Sequence, residues 1–449
     1  MSRTESSADA AIPNTVQKPA RDPGETEEFP TAMAARIASR FALPTPVEAC
    51  DFPGKGNINH HTFLILAGRS GHGREYLLQR INQLVFTRPD TVMRAMIECL
   101  EAQRRSLARG ALPPDRGWEV IELVPTREGA PYLEFQNLRG KTFWRLMVKI
   151  PDSRTCYSLG EVGSRREQLL MAEEAGRGLA MYGDFTADMD VSRLVSPLPG
   201  YRNTKLYYAQ LASVLKESRS LDEAAPFLPD DETVRQSTQE HFLLHLSPRE
   251  HRRRREDPEI ARWIDLALKE EPYGLTLQRE MAAGGIRTVA IHGDTKLENF
   301  LFSTLTGKVK GLVDLDTIMP HTWLSDWGDM IRSLANVAGE KERDLSKVKV
   351  DMEIYEAVAR GFLGTARQVT REEIGLMADA VQILALELGV RFLTDYLRGD
   401  SYFRLSPADP PHLNKNRALV QLTLFERLRE KSGAARRIIE ASASQQCAS

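Results

Sequence analysis

Apolar and polar positions change their period once along this chain. From about residue 45 to 150 they run in short stretches with strand character: 62–66 (TFLIL), 76–81 (YLLQRI), 118–124 (WEVIELV) and 142–150 (TFWRLMVKI) each read as a strand. One helix interrupts them, opening near Pro89, a residue suited to a first helical turn. Its apolar positions Val92, Met93, Met96, Ile97 and Leu100 share one face. Beyond Asp152 the period becomes helical and predicts helices at 161–182, 204–217, 258–284, 325–338, 347–366 and 372–398. Between 284 and 325 lies an island of strand pattern, VAIHGD and then FLFSTLTGKVKGLVDLD, with Gly307 where a hairpin would turn. The expected class is α+β: residues 45–152 form a small antiparallel sheet with one helix, and 153–440 a larger, mainly helical part carrying the hairpin. Residues 1–44 are expected to be disordered or loosely ordered, since the first 30 are rich in Ser, Pro, Glu and Asp and poor in large apolar groups. Residues 441–449 (ASASQQCAS) read as a flexible tail.

Composition narrows the partners. Sixty basic residues against 62 acidic ones leave a net charge of -2, so nothing in bulk charge points to nucleic acid or to an acidic membrane surface. Five arginines fall between Arg249 and Asp257, but Glu250, Glu256 and Asp257 dilute them, and the run reads as a solvated face. The four cysteines, at 50, 99, 156 and 447, are isolated, which suggests neither a disulfide framework nor a zinc site. No stretch reaches the about 18 apolar residues of a membrane span, and the N-terminus has no apolar signal core. A cytoplasmic location is the expectation.

Chemistry concentrates in HGDTKLENFLF, His292 to Phe302, and in LVDLD at 312–316. Phosphoryl transfer asks a protein for an oriented hydroxyl, metal ions on the phosphates and charge stabilisation. Asp294 on a tight loop is placed to accept a hydroxyl proton. Asn299, five residues on, can offer an amide oxygen to magnesium, and Asp314 at the far end of the hairpin supplies the carboxylate this cation prefers. Fifteen residues separate Asn299 from Asp314, the length of two short strands and a turn, so the hairpin brings both to one edge. Each piece alone is weak; the combination H-G-D-x-x-x-x-N, strand, turn, strand, D-x-D is specific. His292 reads as an orienting residue that hydrogen-bonds the loop backbone. Asp326 and Asp329 of DWGD read as structural ties from this loop to the following helix.

H-G-D-x-K-x-x-N-x-L and V-D-x-D resemble the signature of aminoglycoside phosphotransferases and choline kinases. Longer strings resemble the N-acetylhexosamine 1-kinases more closely: GKGNINHHTF (54–63), YLLQRINQLVF (76–86), VDLDTIMP (313–320), DWGDMIRSLAN (326–336) and ELGVRFLTDYLRGDSYF (387–403). The resemblance spans about 45–440 and implies a two-lobed protein-kinase-like fold, with ATP and Mg2+ as cofactors and a small-molecule sugar as partner. It implies Asp294 as base on the anomeric hydroxyl, Asn299 and Asp314 as magnesium ligands, and Arg391 and Tyr402 as sugar contacts. The stretch Gly54-Lys55-Gly56-Asn57-Ile58-Asn59 is neither a Walker A loop nor a dinucleotide fingerprint; beside the hairpin motif it becomes the candidate ATP-covering loop. Gly54, Gly56, Asn57, Asn59 and Thr62, with Arg80 as the cation for the non-transferred phosphates, are the candidate nucleotide contacts. Glu98 and Glu101 are both candidate partners of Arg80.

Two places depart from the resemblance. Ser333 stands where the N-acetylhexosamine kinases tend to carry an aromatic residue, and 218–257 matches only loosely. Three readings therefore follow: a sugar 1-kinase acting on an N-acetylhexosamine; an enzyme of the same fold acting on another sugar, an amino alcohol or an aminoglycoside; and a nucleotide-binding pseudokinase. Asp294, Asn299 and Asp314 are all present, which favours an enzyme.

Overall fold

The computed structural model describes residues 30–53, 58–68, 74–112, 115–137, 140–403, 405 and 409–446. The described residues divide into two compact units, those up to Arg80 with Leu123–Lys149, and Ile81–Glu122 with those from Ile150 onward.

The first unit holds α1 (Thr31–Ala38), β1 (Val47–Asp51), β2 (Thr62–Ala67), β3 (Arg74–Arg80), β4 (Leu133–Asn137) and β5 (Gly140–Val148). The strands form one antiparallel sheet in the order β1-β2-β3-β5-β4. The register sets Phe63 opposite Leu78, Ile65 opposite Tyr76 and Leu78 opposite Leu146, so one period-two face is apolar. Helix α1 belongs to that core through Ala34, Ile37 and Ala38, with Phe41 just beyond it. The expected loose tail over 1–44 is thus corrected from residue 31 onward: positions 34, 37, 38 and 41 have helical spacing, and the sheet gives them a surface to bury against. The expected strand at 118–124 does not form. Trp118, Ile121 and Val124 are its buried residues, a spacing of three, and its only bridge among the described residues joins Leu123 to Met147.

The second unit opens with α2 (Pro89–Ala108), whose buried face includes Val92, Met93, Met96 and Leu100. It continues with β6 (Ser153–Arg154), α3 (Arg165–Thr186), α4 (Thr204–Leu215), α5 (Leu221–Ala224), α6 (Glu232–Thr238), α7 (Pro248–Arg255), α8 (Pro258–Gly274) and α9 (Thr276–Ala282). Strands β7 (Val289–Ile291), β8 (Phe300–Ser303), β9 (Val309–Leu312) and β10 (Met319–His321) follow. Helices α10 (Trp323–Leu334), α11 (Met352–Leu363), α12 (Arg371–Arg398), α13 (Leu413–Glu430) and α14 (Ser432–Gln446) complete it. The single helix expected over 258–284 is two, with Pro272 in its last turn before the break at Leu275. Helix α14 continues to Gln446, into the stretch from 441 expected to be a flexible tail. Helix α12 is buried along most of its length from Met377 and packs on α4, α10 and α13, while α11 packs on α3. No helix among the described residues is long and apolar enough to cross a membrane.

The hairpin forms where the sequence places it. Phe300 pairs with Leu312 and Leu301 with Gly311, and the turn holds Gly307 at φ +71°.

Candidate active site

The loop between β7 and β8 carries Asp294, and nearly every backbone polar group around it has a named partner. Asp326, in the first turn of α10, accepts the N–H groups of His292 at 2.7 Å and Gly293 at 2.8 Å, one on each carboxylate oxygen. Its backbone carbonyl accepts from Thr295 Oγ1 at 2.6 Å. Burial pushes the Asp326 carboxyl up, and the His292 and Gly293 amides oppose that shift. His292 Nε2 lies 2.8 Å from the Val313 carbonyl, and Nδ1 accepts the Asp294 N–H at 3.3 Å. These partners require the Nε2–H tautomer. His292 thus ties the loop to the end of β9, the orienting part expected of it. Gly293 is at φ +86°, and a Cβ there would meet the Thr317 carbonyl at 2.6 Å, so only glycine fits.

Asp294 itself is half-buried and faces Lys296 Nζ at 3.1 Å. Burial works against the Lys296 charge, but Asp294, Glu298 and Asp329 raise its pKa. Asn299 donates through Nδ2 to the Asp294 carbonyl at 2.7 Å and its Oδ2 at 3.3 Å. That commitment fixes the amide orientation and turns Oδ1 to the opposite side. The Val313 N–H bonds the Asn299 carbonyl at 2.9 Å, so Asn299 and Asp314 flank the same end of the hairpin. Asp314 sits in the left-handed region at φ +60°. No group of three or more His, Cys, Asp or Glu among the described residues could hold a metal. One amide and one carboxylate oxygen donor nonetheless fit magnesium, which takes few protein ligands when phosphates and water supply the rest.

The carbonyl of Gly293, immediately before Asp294, accepts two further bonds, from Tyr201 Oη at 2.9 Å and Arg202 Nη2 at 2.9 Å. Arg202 is 4% exposed and pairs with Asp329 at 3.1 Å and Glu387 at 3.5 Å. Asp329 also meets Arg332 at 2.7 Å; against burial, Arg332 and Arg202 hold its carboxyl below the usual range. Glu387 accepts from Thr204 Oγ1 at 2.6 Å. The backbone of Arg202 is itself left-handed at φ +60°, pinned by its N–H on Tyr207 Oη at 2.9 Å. Tyr201 and Arg202 were not legible as site residues. GYRNT offers no motif, and only folding brings it to the loop.

One helical turn after Glu387, Arg391 lies among aromatic rings, with its guanidinium 5.4 Å from Tyr201, 4.8 Å from Tyr207, 5.8 Å from Tyr402 and 5.3 Å from Phe403. Burial opposes its charge, and the tyrosines raise its pKa. Its Nη2 donates to Tyr402 Oη at 3.4 Å. Arg391 and Tyr402 thus stand together, and Tyr201 joins them to the Asp294 loop.

Gly54, Gly56 and Asn57 are outside the described residues. In the first unit, Thr62 Oγ1 donates to the Asn59 carbonyl at 2.9 Å and accepts from Gln79 at 3.2 Å. Arg80 ends β3 opposite Trp144. Glu98 pairs with Arg193 at 2.8 Å, and Glu101 is exposed. Ser333, on α10, donates its hydroxyl to the Met330 carbonyl at 2.9 Å.

A sheet unit, a helical unit and a loop–hairpin with Asp, Asn and Asp define a kinase-like phosphotransferase fold. The family model described as the phosphotransferase enzyme family (APH) matches residues 52–372, and the chain belongs to that family. Among solved structures it is similar to a microcompartment-associated aminopropanol kinase, with 12% identity, a TM-score of 0.50, and 90% of this chain and 98% of that one covered. It is also similar to a putative aminoglycoside phosphotransferase from Ralstonia eutropha JMP134 (12% identity, TM-score 0.49, 89% and 98% covered). A third is a Plasmodium vivax ethanolamine kinase (13% identity, TM-score 0.42, 84% and 81% covered).

Proposed function

We propose that this phosphotransferase moves the γ-phosphoryl group of ATP onto the anomeric hydroxyl of an N-acetylhexosamine, giving a sugar 1-phosphate and ADP. The acceptor oxygen attacks phosphorus in line, the bond to the β-phosphate oxygen breaks, and the hydroxyl proton passes to the Asp294 carboxylate. Asn299 Oδ1 and the Asp314 carboxylate would hold magnesium, which neutralises charge on the phosphates. Lys296, 3.1 Å from Asp294, pairs with that carboxylate and restrains it. Arg80 as a phosphate contact rests on the sequence resemblance alone.

The observation that carries this reading is Tyr201. Its hydroxyl bonds the Gly293 carbonyl next to the base, and its ring faces Arg391. Base and acceptor contacts therefore share one wall. That wall suits a neutral acceptor rich in hydrogen-bond acceptors. It presents a guanidinium and tyrosine hydroxyls, while its carboxylates Glu387 and Asp329 are already paired with Arg202 and Arg332. A polycationic aminoglycoside or a choline-like cation would meet the Arg391 charge, with Glu387 and Asp329 already committed to arginines.

The test is ATP consumption with magnesium across N-acetylglucosamine, N-acetylgalactosamine, glucosamine, galactose, glucose, choline, aminopropanol and kanamycin, with the product identified by phosphorus NMR. A sugar 1-phosphate from the N-acetylhexosamines is the expected outcome. Turnover confined to the amino alcohols or kanamycin would overturn the acceptor.

A further inference from the structure

One turn beyond Arg391 on α12, Asp395 is 2% exposed and touches no proposed substrate contact with its own side chain except through backbone. Its Oδ1 accepts the backbone N–H of Ser401 at 3.1 Å and of Tyr402 at 2.8 Å, and Arg398 Nη2 at 2.9 Å. Its Oδ2 accepts the backbone N–H of Phe403 at 2.8 Å and Asn414 Nδ2 at 3.2 Å. Three consecutive backbone N–H groups turned to one point make a concave anion nest. Here the anion is the chain's own carboxylate, and its effect is to fold residues 401–403 back along α12.

The fold-back decides where two rings go. Phe403 packs on Phe392 at 4.4 Å between centroids, and Tyr402 stands edge-on to His241 at 4.8 Å. In those positions both rings face the Arg391 guanidinium. Asn414, in the first turn of α13, fastens the segment from its other side by donating to the Phe403 carbonyl at 2.9 Å and to Asp400 at 3.1 Å. A carboxylate that served only to end α12 would cap that helix's own carbonyls through a neighbouring cation. This one does hold Arg398, but it also accepts three backbone N–H groups of the segment that carries Tyr402, at least one on each oxygen.

We propose that Asp395 is a positioning residue for acceptor recognition: by holding the 401–403 backbone it sets Tyr402 and Phe403 about Arg391, and so governs acceptor affinity without entering phosphoryl transfer. The proposal rests on the reading of Arg391 and Tyr402 as acceptor contacts. It predicts a split that a merely structural residue would not give.

Asp395→Asn keeps the side-chain volume but removes the charge and sets an NH2 group against N–H donors. In the full-length enzyme the acceptor KM rises about tenfold or more, while the ATP KM and kcat at saturating acceptor stay within about threefold. Combined with Tyr402→Ala, the loss is no greater than that of the worse single variant, because both act on the same contact. Equal rises in both KM values, or fully additive losses, overturn the proposal. Asn414→Ala, which leaves the carboxylate in place, is the milder companion should Asp395→Asn fail to fold. It raises acceptor KM in the same direction, and an unchanged value overturns the proposal. Amide hydrogen exchange separates this from the choice of substrate. If no acceptor of the panel turns over, the substrate reading fails, yet faster exchange at 401–403 with 292–299 unchanged in Asp395→Asn still supports the positioning role. Unchanged exchange at 401–403 overturns it.

Discussion

Arg202→Met removes one charge from the centre of the site and leaves most of the side-chain stem in place. The two carboxylates it serves fare differently. Asp329 keeps Arg332 at 2.7 Å, whereas Glu387, itself buried, keeps only the Thr204 hydroxyl at 2.6 Å among the described residues. The substitution therefore strands one buried carboxylate, and breaking a buried pair from one side costs about 3–5 kcal/mol. The Gly293 carbonyl adds little, because Tyr201 still bonds it. Urea unfolding of wild type and variant at one pH measures this loss. Steady-state kinetics should show kcat falling roughly 10- to 100-fold, because the Gly293–Asp294 peptide loses one of its two anchors on the carbonyl side. The deciding variant is the double one. Glu387→Gln in the Arg202→Met background removes the stranded charge, keeps an acceptor for Thr204, and should restore about 2–3 kcal/mol while leaving kcat low. A double variant less stable than Arg202→Met alone, or an Arg202→Met protein within about 0.5 kcal/mol of wild type, would refute the account of this network as electrostatic.

Three further outcomes follow from the geometry. Asp294→Ala should lose about 10²- to 10⁴-fold in kcat while ATP still binds by calorimetry; wild-type turnover would remove Asp294 from the role of base. Asp184, whose carboxyl burial pushes up to about 6 from 3.8, stabilises the fold only while protonated. Its contribution is complete below about pH 4 and is lost as pH rises through 6, so Asp184→Asn should gain stability over wild type between those values and hold the gain above them. A flat difference from pH 3 to 8 by thermal unfolding would contradict this. A Cβ at position 361 on α11 would lie 2.0 Å from the Glu173 carbonyl oxygen of α3. Gly361→Ala should therefore destabilise by about 1–3 kcal/mol or more in urea titration, and a neutral result would show that the two helices can part at little cost.

The parts of the fold legible in the sequence are those whose partners are close in sequence. The 300–312 hairpin closes on itself, and the helices at 204, 323 and 371 start at side-chain caps, Asn203, Thr322 and Thr370, that lie beside them. Where an element depends on a distant surface, the local pattern misleads. Residues 31–38 look like the end of a polar tail until the sheet face that buries Ala34 and Ile37 is in place. WEVIELV reads as a strand from its short apolar run, yet its buried positions come every third residue, and almost no ladder bonds form along it. Pro272 stands in the last turn of α8, just before the break at Leu275 that divides one apolar period into two helices.

The site divides along the same line. Asp294, Asn299 and Asp314 stand within one loop and hairpin, so their spacing alone carries the proposed chemistry. The residues that hold them do not. Arg202 lies 91 positions from Gly293 and 185 from Glu387 in sequence, and no motif spans such distances. What a sequence does offer is a constraint: a buried arginine requires acids, and a buried acid requires donors. Asp326 and Asp329 in DWGD satisfied half of that requirement in plain view, since two acids at helical spacing beside a catalytic loop must be neutralised by something. The fold answers with the loop amides for Asp326 and with Arg202 and Arg332 for Asp329. Because Arg202 also reaches Glu387, one turn from Arg391, the charge that steadies the proposed base also fixes the helix bearing the proposed acceptor contact. Catalytic placement and acceptor binding then cannot vary independently at this residue, so changes of acceptor preference that leave catalysis intact are expected at Tyr402, Phe403 and Ser333 rather than at Arg202 or Glu387.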